Sequence, residues 1–388
     1  MSSYRRIIMS LGSSQKQSSI DINDYCTFVA IEDGLTISFT SNSNECLEYC
    51  IDGRGDWKIL EAGVSTPAIN KEHTISFRGE FGLDHAVSTS GIGKFTTNAK
   101  FNLIGSCYTL YYGEFGRKSM WEEGLMNMTY YYVDIYAFKN LFNGTKVVNV
   151  DKDFLYYDVV TPNCYYSMFR ECTYLKNAPA LPATSVASNC YAYMFYGCTS
   201  LTAAPVLPAK TLAGYCYHSM FRGCKNLKTT PDLPVVSLAD YCCAYMFYGC
   251  SSLTAAPALP AKTLTPSCYY LMFYNCSSLT TVPALPATTL ASNCYYGMFR
   301  YCTTLETAPA LPAITLTTNC YSYMFYGCSL LSYVSAAFTT TPGTGYTDNW
   351  LSSVAADGTF VKNIDASWDV SGASGIPTNW TIETKTFN

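Results

Sequence analysis

Cysteine is the residue type through which this chain would most readily do chemistry. Nineteen cysteines occur in 388 residues, and many belong to two series in which each member follows the last by 26 residues. The first series is Cys164, Cys190, Cys216, Cys242, Cys268, Cys294 and Cys320, and the second is Cys172, Cys198, Cys224, Cys250, Cys276, Cys302 and Cys328. Cysteines repeated in this way suggest two chemistries, disulfide bonding and zinc binding.

Neither chemistry fits the spacing. In a helical segment, Cys164 and Cys172 would lie about 12 Å apart along the axis, which is too far for a disulfide. Cysteines of one series on neighbouring repeats come closer, but an odd number leaves one without a partner. The chain has no C-x-x-C pair and only three histidines, His73, His85 and His218, so the usual zinc ligands are missing. We therefore expect small, buried apolar side chains, and we expect no metal ion and no cofactor.

A column of Arg and Tyr residues is the candidate binding site. These residues follow the first cysteine of each repeat by six positions. They are Arg170, Tyr196, Arg222, Tyr248, Tyr274, Arg300 and Tyr326. Further tyrosines expected to be exposed beside them are Tyr193, Tyr245, Tyr270, Tyr296 and Tyr323. Tyr and Arg are enriched at binding hot spots, and aromatic faces also stack on sugar rings. Two alternatives remain: a neutral surface residue copied by repeat duplication, and Tyr–Arg stacking that only stabilises the repeats.

The rest of the composition argues against several other functions. No Ser/His/Asp or Cys/His arrangement is evident, so we predict that the protein is not an enzyme and we propose no catalytic residue. The net charge of −4 and the scattered Lys and Arg give no basic footprint for nucleic acid. No run of about 18 apolar residues is present, so no membrane insertion is expected.

The cysteines belong to a motif, C-Y-x-x-M-F-x-x-C-x-x-L-x-x-x-P-x-L-P, that recurs seven times, with the P-x-L-P part present six times. With the first Cys as position 0, the apolar positions 0, +4, +5 and +8 share one arc of an α-helix, which predicts a short helix. Residues suited to cap its start are Asn163, Asn189, Asn293 and Asn319. Residues suited to end it are Gly197, Gly223, Gly249 and Gly327. Alternation after the second Cys predicts a strand, which the recurring Pro limits to a few residues.

One such repeat cannot bury its own apolar face, so the repeats are expected to stack into an α/β solenoid with altered end units. Phe142 belongs to a degenerate unit that precedes the first repeat by 27 residues, and Tyr346 and Trp350 align with Cys320 and Met324. Before the repeats, alternating segments separated by turns predict a small antiparallel β domain. The predicted domains are an N-terminal arm (1–21), a β-rich domain (22–136), an N-terminal cap repeat (137–163), the repeat array (164–345) and a C-terminal cap (346–388).

The repeat units resemble a known family. CYAYMFYGCTSLTAAPVLPAKTL and CYSYMFYGCSLLSYV are similar to BspA-like leucine-rich repeats, found in surface proteins of Bacteroidales and in structural proteins of their phages. This resemblance covers about residues 137–388 and implies a leucine-rich-repeat solenoid. The segments YRRIIMSLG, FVAIEDGLTISF and WKILEAGVSTPAINKEHTISFRGEFG resemble the N-terminal module of virion proteins in gut Bacteroides phages, including crAss-like phages.

The resemblance implies adhesion or host-surface recognition and supplies no catalytic residue. The start of the chain shows no signal peptide, and unpaired cysteines suit a reducing cytoplasm, so we expect a phage virion structural protein assembled in the host cytoplasm. It would be a tail or head fibre or decoration subunit. The N-terminal domain would contact other virion proteins, and the repeats would bind a bacterial surface glycan or protein; analogy with fibres suggests a homo-oligomer such as a trimer. The alternatives are a bacterial surface adhesin at the cell surface and a virion component without a ligand.

Overall fold

The structure of the protein is a computed structural model. It describes residues 25–387 apart from 43–46, 55, 62, 80–90, 109, 111–134, 156–157, 159 and 344. The predicted N-terminal arm, residues 1–21, lies outside the described residues, and so does much of the predicted segment between 83 and 136. Residues 160–343, which hold the seven repeated motifs, are described without a gap.

Among the described residues, eight strands precede the first repeated motif and build two sheets. The first seven are β1 (Cys26–Ala30), β2 (Ile37–Ser41), β3 (Leu47–Ile51), β4 (Lys58–Leu60), β5 (Thr74–Arg78), β6 (Gly93–Thr97) and β7 (Phe101–Ile104). A six-stranded sheet has the order β4-β3-β5-β1-β7-β8, where β8 is Val147–Val150, and β2 pairs with β6 in a second sheet. The pairs formed among β1 to β7 are antiparallel, as the alternating segments predict.

The last strand of the six-stranded sheet joins it to the repeats. β8 pairs parallel with β7, and its Asn149 forms a parallel bridge to Asn177 of the first repeat. Inside, the ring of Phe142 stacks on Phe95 at 5.5 Å and on Phe169 at 5.4 Å between centroids. Phe142 therefore occupies the place predicted by the 27-residue offset. The N-terminal sheet covers the end of the repeat array, and the two share one apolar core.

The prediction of a short helix in each repeat is wrong. Across residues 160–343 the chain forms no α-helix. Positions −1 to +7 are instead a run of consecutive turns in which every fourth residue, at −1, +3 and +7, has a positive φ. In the second repeat these residues are Asn189 (φ 56°), Tyr193 (φ 58°) and Gly197 (φ 72°). The Asn and Gly residues assigned to helix ends therefore serve as left-handed residues, which both types tolerate.

Backbone hydrogen bonds explain why turns replace a helix. Alternate amides donate within the repeat to the residue three back, as Met194 N–H does to the Tyr191 carbonyl at 3.2 Å. The amides between them donate to the next repeat, as Phe195 N–H does to the Met220 carbonyl at 2.9 Å. An α-helix would use these amides internally, whereas this pattern satisfies them and also ties each repeat to its neighbour. Each repeat thus forms one rung of a solenoid.

Replacing Gly249 tests the left-handed positions. Gly249 has φ 73°, and a Cβ built on it would meet no atom within 4 Å, so Gly249→Ala carries a conformational cost without a clash. We expect urea unfolding to show a loss of about 1–2 kcal/mol. Gly249→Asn is the control and is expected to lose less, because Asn275 adopts the same conformation in the next rung with φ 57°. Equal losses for the two variants would contradict this account.

The strand predicted after the second cysteine is reduced to isolated parallel bridges. These bridges are Ala203–Thr229, Ala255–Thr281, Thr307–Tyr333, Thr211–Ser237 and Thr263–Thr289. The recurring Pro lacks an N–H and interrupts longer pairing. Where the P-x-L-P segment is absent, at the C-terminal end, β9 (Tyr333–Ala336), β10 (Thr359–Asn363) and β11 (Thr381–Lys385) form a parallel sheet in the order β11-β10-β9.

The C-terminal unit continues the register of the rungs. Tyr321 N–H donates to the Tyr346 carbonyl and Phe325 N–H to the Trp350 carbonyl, both at 3.0 Å. The predicted alignment of Trp350 with Met324 is therefore confirmed. Trp350 is fully buried and fills the core at this end with a larger side chain than the Met of the repeats.

The fourteen cysteines of the two series are buried in the core, as the sequence predicts, and form no disulfides. In the second series each thiol donates to the carbonyl of a Phe in the preceding rung, as Cys224 Sγ does to Phe195 at 3.1 Å. Burial raises the pKa of the Cys224 thiol to about 12. Protonated, buried thiols of this kind are poor nucleophiles and poor metal ligands.

Candidate binding face

The structure stacks the predicted Arg/Tyr column into one continuous row. Its seven side chains are half-buried. The guanidinium carbon of Arg222 lies 4.3 Å from the ring centroid of Tyr248 and 5.7 Å from that of Tyr196. Tyr248 stacks on Tyr274 at 4.3 Å between centroids, and Arg300 lies 5.7 Å from the Tyr274 ring. Residues separated by 26 positions in sequence are thus direct neighbours.

A second row of aromatic rings runs beside the first, with one member per rung at position +2 or +3. The row consists of Tyr166, Tyr193, His218, Tyr245, Tyr270, Tyr296 and Tyr323. Neighbouring centroids are 4.7 to 5.5 Å apart. The five tyrosines expected to be exposed are half-buried, and sequence reasoning misses Tyr166 and His218. A signal in the sequence could have found them: in each repeat one of the positions +2 and +3 is aromatic and the other is not. Examples are Tyr166 with Ser167 and Tyr193 with Ala192.

The two rows touch along the solenoid. Arg222 lies 5.5 Å from the Tyr245 ring, and Arg300 lies 5.0 Å from the Tyr323 ring. In a run of turns that repeats every four residues, positions +2 and +6 lie on the same side, and positions 0, +4 and +8 point into the core. We call the fourteen side chains of the two rows the ladder face.

Two neighbouring pairs of the ladder face are parallel, whereas the other neighbouring rings of the second row are tilted by 48° to 60°. Tyr248 and Tyr274 are within 8° of parallel, and Tyr270 and Tyr296 stack at 4.7 Å and within 7° of parallel. Each ring of these pairs covers one face of the other, so stacking of sugars on those faces, which the sequence suggests, is not available there. The hydroxyls of Tyr248 and Tyr274 hydrogen-bond to each other, and a phenol hydroxyl so paired can still form a further hydrogen bond.

The positive charge of the ladder face comes from its arginines. Among the described residues Arg222 and Arg300 form no ion pair, whereas Arg170 Nε lies 4.0 Å from a carboxylate oxygen of Glu171. Burial, with a contribution from Arg222, lowers the pKa of His218 to about 4. Burial raises the pKa of Tyr270 to about 12. His218 and Tyr270 are therefore neutral at neutral pH.

The described residues provide no obvious site for other chemistry. Within them, no group of three or more His, Cys, Asp or Glu side chains is placed to hold a metal ion. No helix in the same part of the chain is long and apolar enough to span a bilayer. The ladder face is therefore the feature on which a functional proposal rests.

Comparison with known proteins identifies the family of the repeats. The family model of the BspA type leucine rich repeat region matches in six copies, over residues 136–270 and 217–342, which together cover more than half of the chain. The chain belongs to the BspA-type leucine-rich-repeat proteins. Such repeats are interaction modules and do not define an enzyme family. No curated protein matches the chain.

Proposed function

We propose that this BspA-type protein is a non-enzymatic binding protein of a phage virion, a fibre or decoration subunit, whose ladder face holds a component of the bacterial surface. The observation that carries the binding role is the continuous row of Arg and Tyr side chains, which spans the seven rungs. Tyr and Arg dominate binding hot spots. Side chains already ordered by stacking lose less entropy when a ligand binds.

The free thiols support the virion location. A protein whose repeats bury fourteen unpaired cysteines suits folding in a reducing cytoplasm, where phage particles assemble before lysis. In this proposal the N-terminal region attaches the protein to other virion proteins and to further copies of itself. The repeat array, covered at one end by the N-terminal sheet, then extends towards the host.

Two other candidate functions share part of this evidence. A bacterial surface adhesin would use the same ladder face, and membership of the BspA-type family is compatible with it. A virion component without a ligand is favoured by the stacking itself, because Arg222 over Tyr248 stabilises the solenoid whether or not a ligand binds. Mass spectrometry of purified phage particles separates the virion candidates from the adhesin.

Replacing two ring partners of the ladder face tests the binding role. In the full chain, Tyr248→Ser with Tyr274→Ser removes the closest stacked pair of the column. We expect the affinity for intact Bacteroidales cells to fall at least about tenfold, because loss of a single hot-spot residue costs roughly 2 kcal/mol or more and tenfold is about 1.4 kcal/mol. Binding is measured by fluorescence of labelled protein on washed cells.

Two further variants make the result interpretable. Tyr174→Ser with Tyr333→Ser removes two exposed tyrosines outside the ladder face and is expected to bind like the unchanged protein. Tyr248→Phe with Tyr274→Phe keeps the stack and removes only the hydroxyls, so weak binding here would assign the contact to hydrogen bonding. Equal cell binding by all folded variants would reject the ladder face as the binding site and leave the purely structural role.

A further inference from the structure

The ladder face repeats along the solenoid axis with a constant short step. The buried Phe column beneath it shows this step directly, because centroids in successive rungs are 5.4 to 5.9 Å apart. Every rung offers the same kinds of group, namely an Arg or Tyr from one row and an aromatic ring from the other. A ligand that uses several rungs in the same way must itself repeat along one direction. A polysaccharide chain does so, whereas the surface of a globular protein without internal repeats does not.

The hydrogen-bonding groups of the ladder face fit a hydroxyl-rich ligand. Tyr248 and Tyr274 each cover one ring face of the other, and their hydroxyls hydrogen-bond to each other in a half-buried row. Phenol hydroxyls both donate and accept, as sugar hydroxyls do. The covered faces argue against a ligand held mainly by aromatic stacking.

The arginines indicate that the ligand is acidic. Arg222 and Arg300 lie over tyrosine rings, at 4.3 Å from Tyr248 and 4.6 Å from Tyr326, and within the described chain neither is paired with a carboxylate. Arg300 Nε is buried without a hydrogen-bond partner, so the terminal N–H groups of the guanidinium are the ones that would bind an oxyanion. The two arginines are three rungs apart, or on the order of 15 Å at the usual spacing of paired chains.

We propose that the ladder face binds an acidic polysaccharide that runs along the solenoid axis, with Arg222 and Arg300 each holding one carboxylate or sulfate group. This inference rests on the proposed surface-binding function and names the class of its ligand. The tyrosine hydroxyls between the two arginines bind the sugar hydroxyls. Because the whole chain carries a net charge of −4, the attraction is local to this face.

Affinity gel electrophoresis of the full chain tests the proposal. Native gels contain polygalacturonate, alginate, dextran sulfate or, as the neutral control, dextran. We expect at least one acidic polymer to retard the protein, with an affinity that falls as salt is raised, and dextran to have no effect. Arg222→Gln with Arg300→Gln is expected to weaken that retardation at least about tenfold, as removal of two charge-assisted contacts should. Arg222→Lys with Arg300→Lys keeps the charge and is expected to recover only part of it.

The matched control removes two positive charges elsewhere. Lys210→Gln with Lys262→Gln changes the net charge equally at exposed positions outside the ladder face and is expected to bind within about twofold of the unchanged protein. The proposal is overturned if no acidic polymer retards the protein. It is also overturned if Lys210→Gln with Lys262→Gln weakens the retardation as much as Arg222→Gln with Arg300→Gln does. If the protein still binds cells through Tyr248 and Tyr274 in that case, the proposed surface-binding function survives and only the ligand class fails. If the unchanged protein also fails to bind cells, both the surface-binding function and the ligand class are rejected.

Discussion

Raising the pH from about 8 to about 11 is expected to unfold the protein at steadily lower urea concentrations. The second cysteine series contributes to this effect together with other buried thiols and tyrosines. Burial raises the pKa of Cys172, Cys224, Cys276 and Cys328 from the usual 9.0 to about 12. Folded thiols therefore stay protonated at pH values where the thiols of the unfolded chain ionise.

The direction of the effect follows from proton binding. Above about pH 9 the folded state binds more protons than the unfolded state, so its stability falls as the pH rises towards the folded pKa. Below the unfolded pKa the stability from these thiols is fully present. Each thiol lowers the unfolding free energy by up to about 1.4 kcal/mol per pH unit, and the four together by about 5 kcal/mol per pH unit.

A double variant separates the thiols from other alkaline effects. Cys224→Ala with Cys276→Ala introduces a cost in packing that does not depend on pH, but it removes two of the titrating groups. The slope of unfolding free energy against pH is therefore expected to be shallower by up to about 3 kcal/mol per pH unit. An unchanged slope, or a urea midpoint that stays constant up to pH 11, would show that the thiols are not the cause.

Phe247→Ala is expected to lower the unfolding free energy by about 3–5 kcal/mol, the usual cost of emptying a fully buried aromatic site. Phe247 is 0% exposed and stacks on Phe221 at 5.6 Å and on Phe273 at 5.5 Å. Its carbonyl also accepts the Cys276 thiol at 3.1 Å. Since each rung is stabilised by its neighbours, the lost stability should weaken several rungs in the middle of the array and not only the rung of Phe247.

The control for this variant is an exposed apolar residue of the same array. Val206 is 71% exposed, so Val206→Ala is expected to change the unfolding free energy by no more than about 0.5 kcal/mol. Urea unfolding followed by tyrosine fluorescence measures both variants. A loss below about 1 kcal/mol for Phe247→Ala would mean that the Phe column is not the core of the rungs.

The repeat pattern predicts which residues are buried but not the local backbone. Positions 0, +4, +5 and +8 share a face in an α-helix and also in a turn that recurs every four residues, so burial does not distinguish the two. Asn189 and Gly197 are compatible with helix ends and also with left-handed turn positions, because both residue types cap helices and both tolerate positive φ. The deciding interaction, the bond from Phe195 N–H to the Met220 carbonyl, joins different rungs and is not encoded by local propensity.

For the ladder face, too, the sequence determines some features and the tertiary structure determines others. The sequence by itself determined the 26-residue step, the core columns, the buried cysteines and the all-Arg/Tyr column, because these depend on residue type and period alone. Only the tertiary structure decided that His218 and Tyr245 belong to one row although they occupy positions +2 and +3. It also decided that Arg222 lies over Tyr248, which leaves ring edges and guanidinium N–H groups at the surface. Such contacts arise from the close stacking of rungs, which a single repeat does not contain.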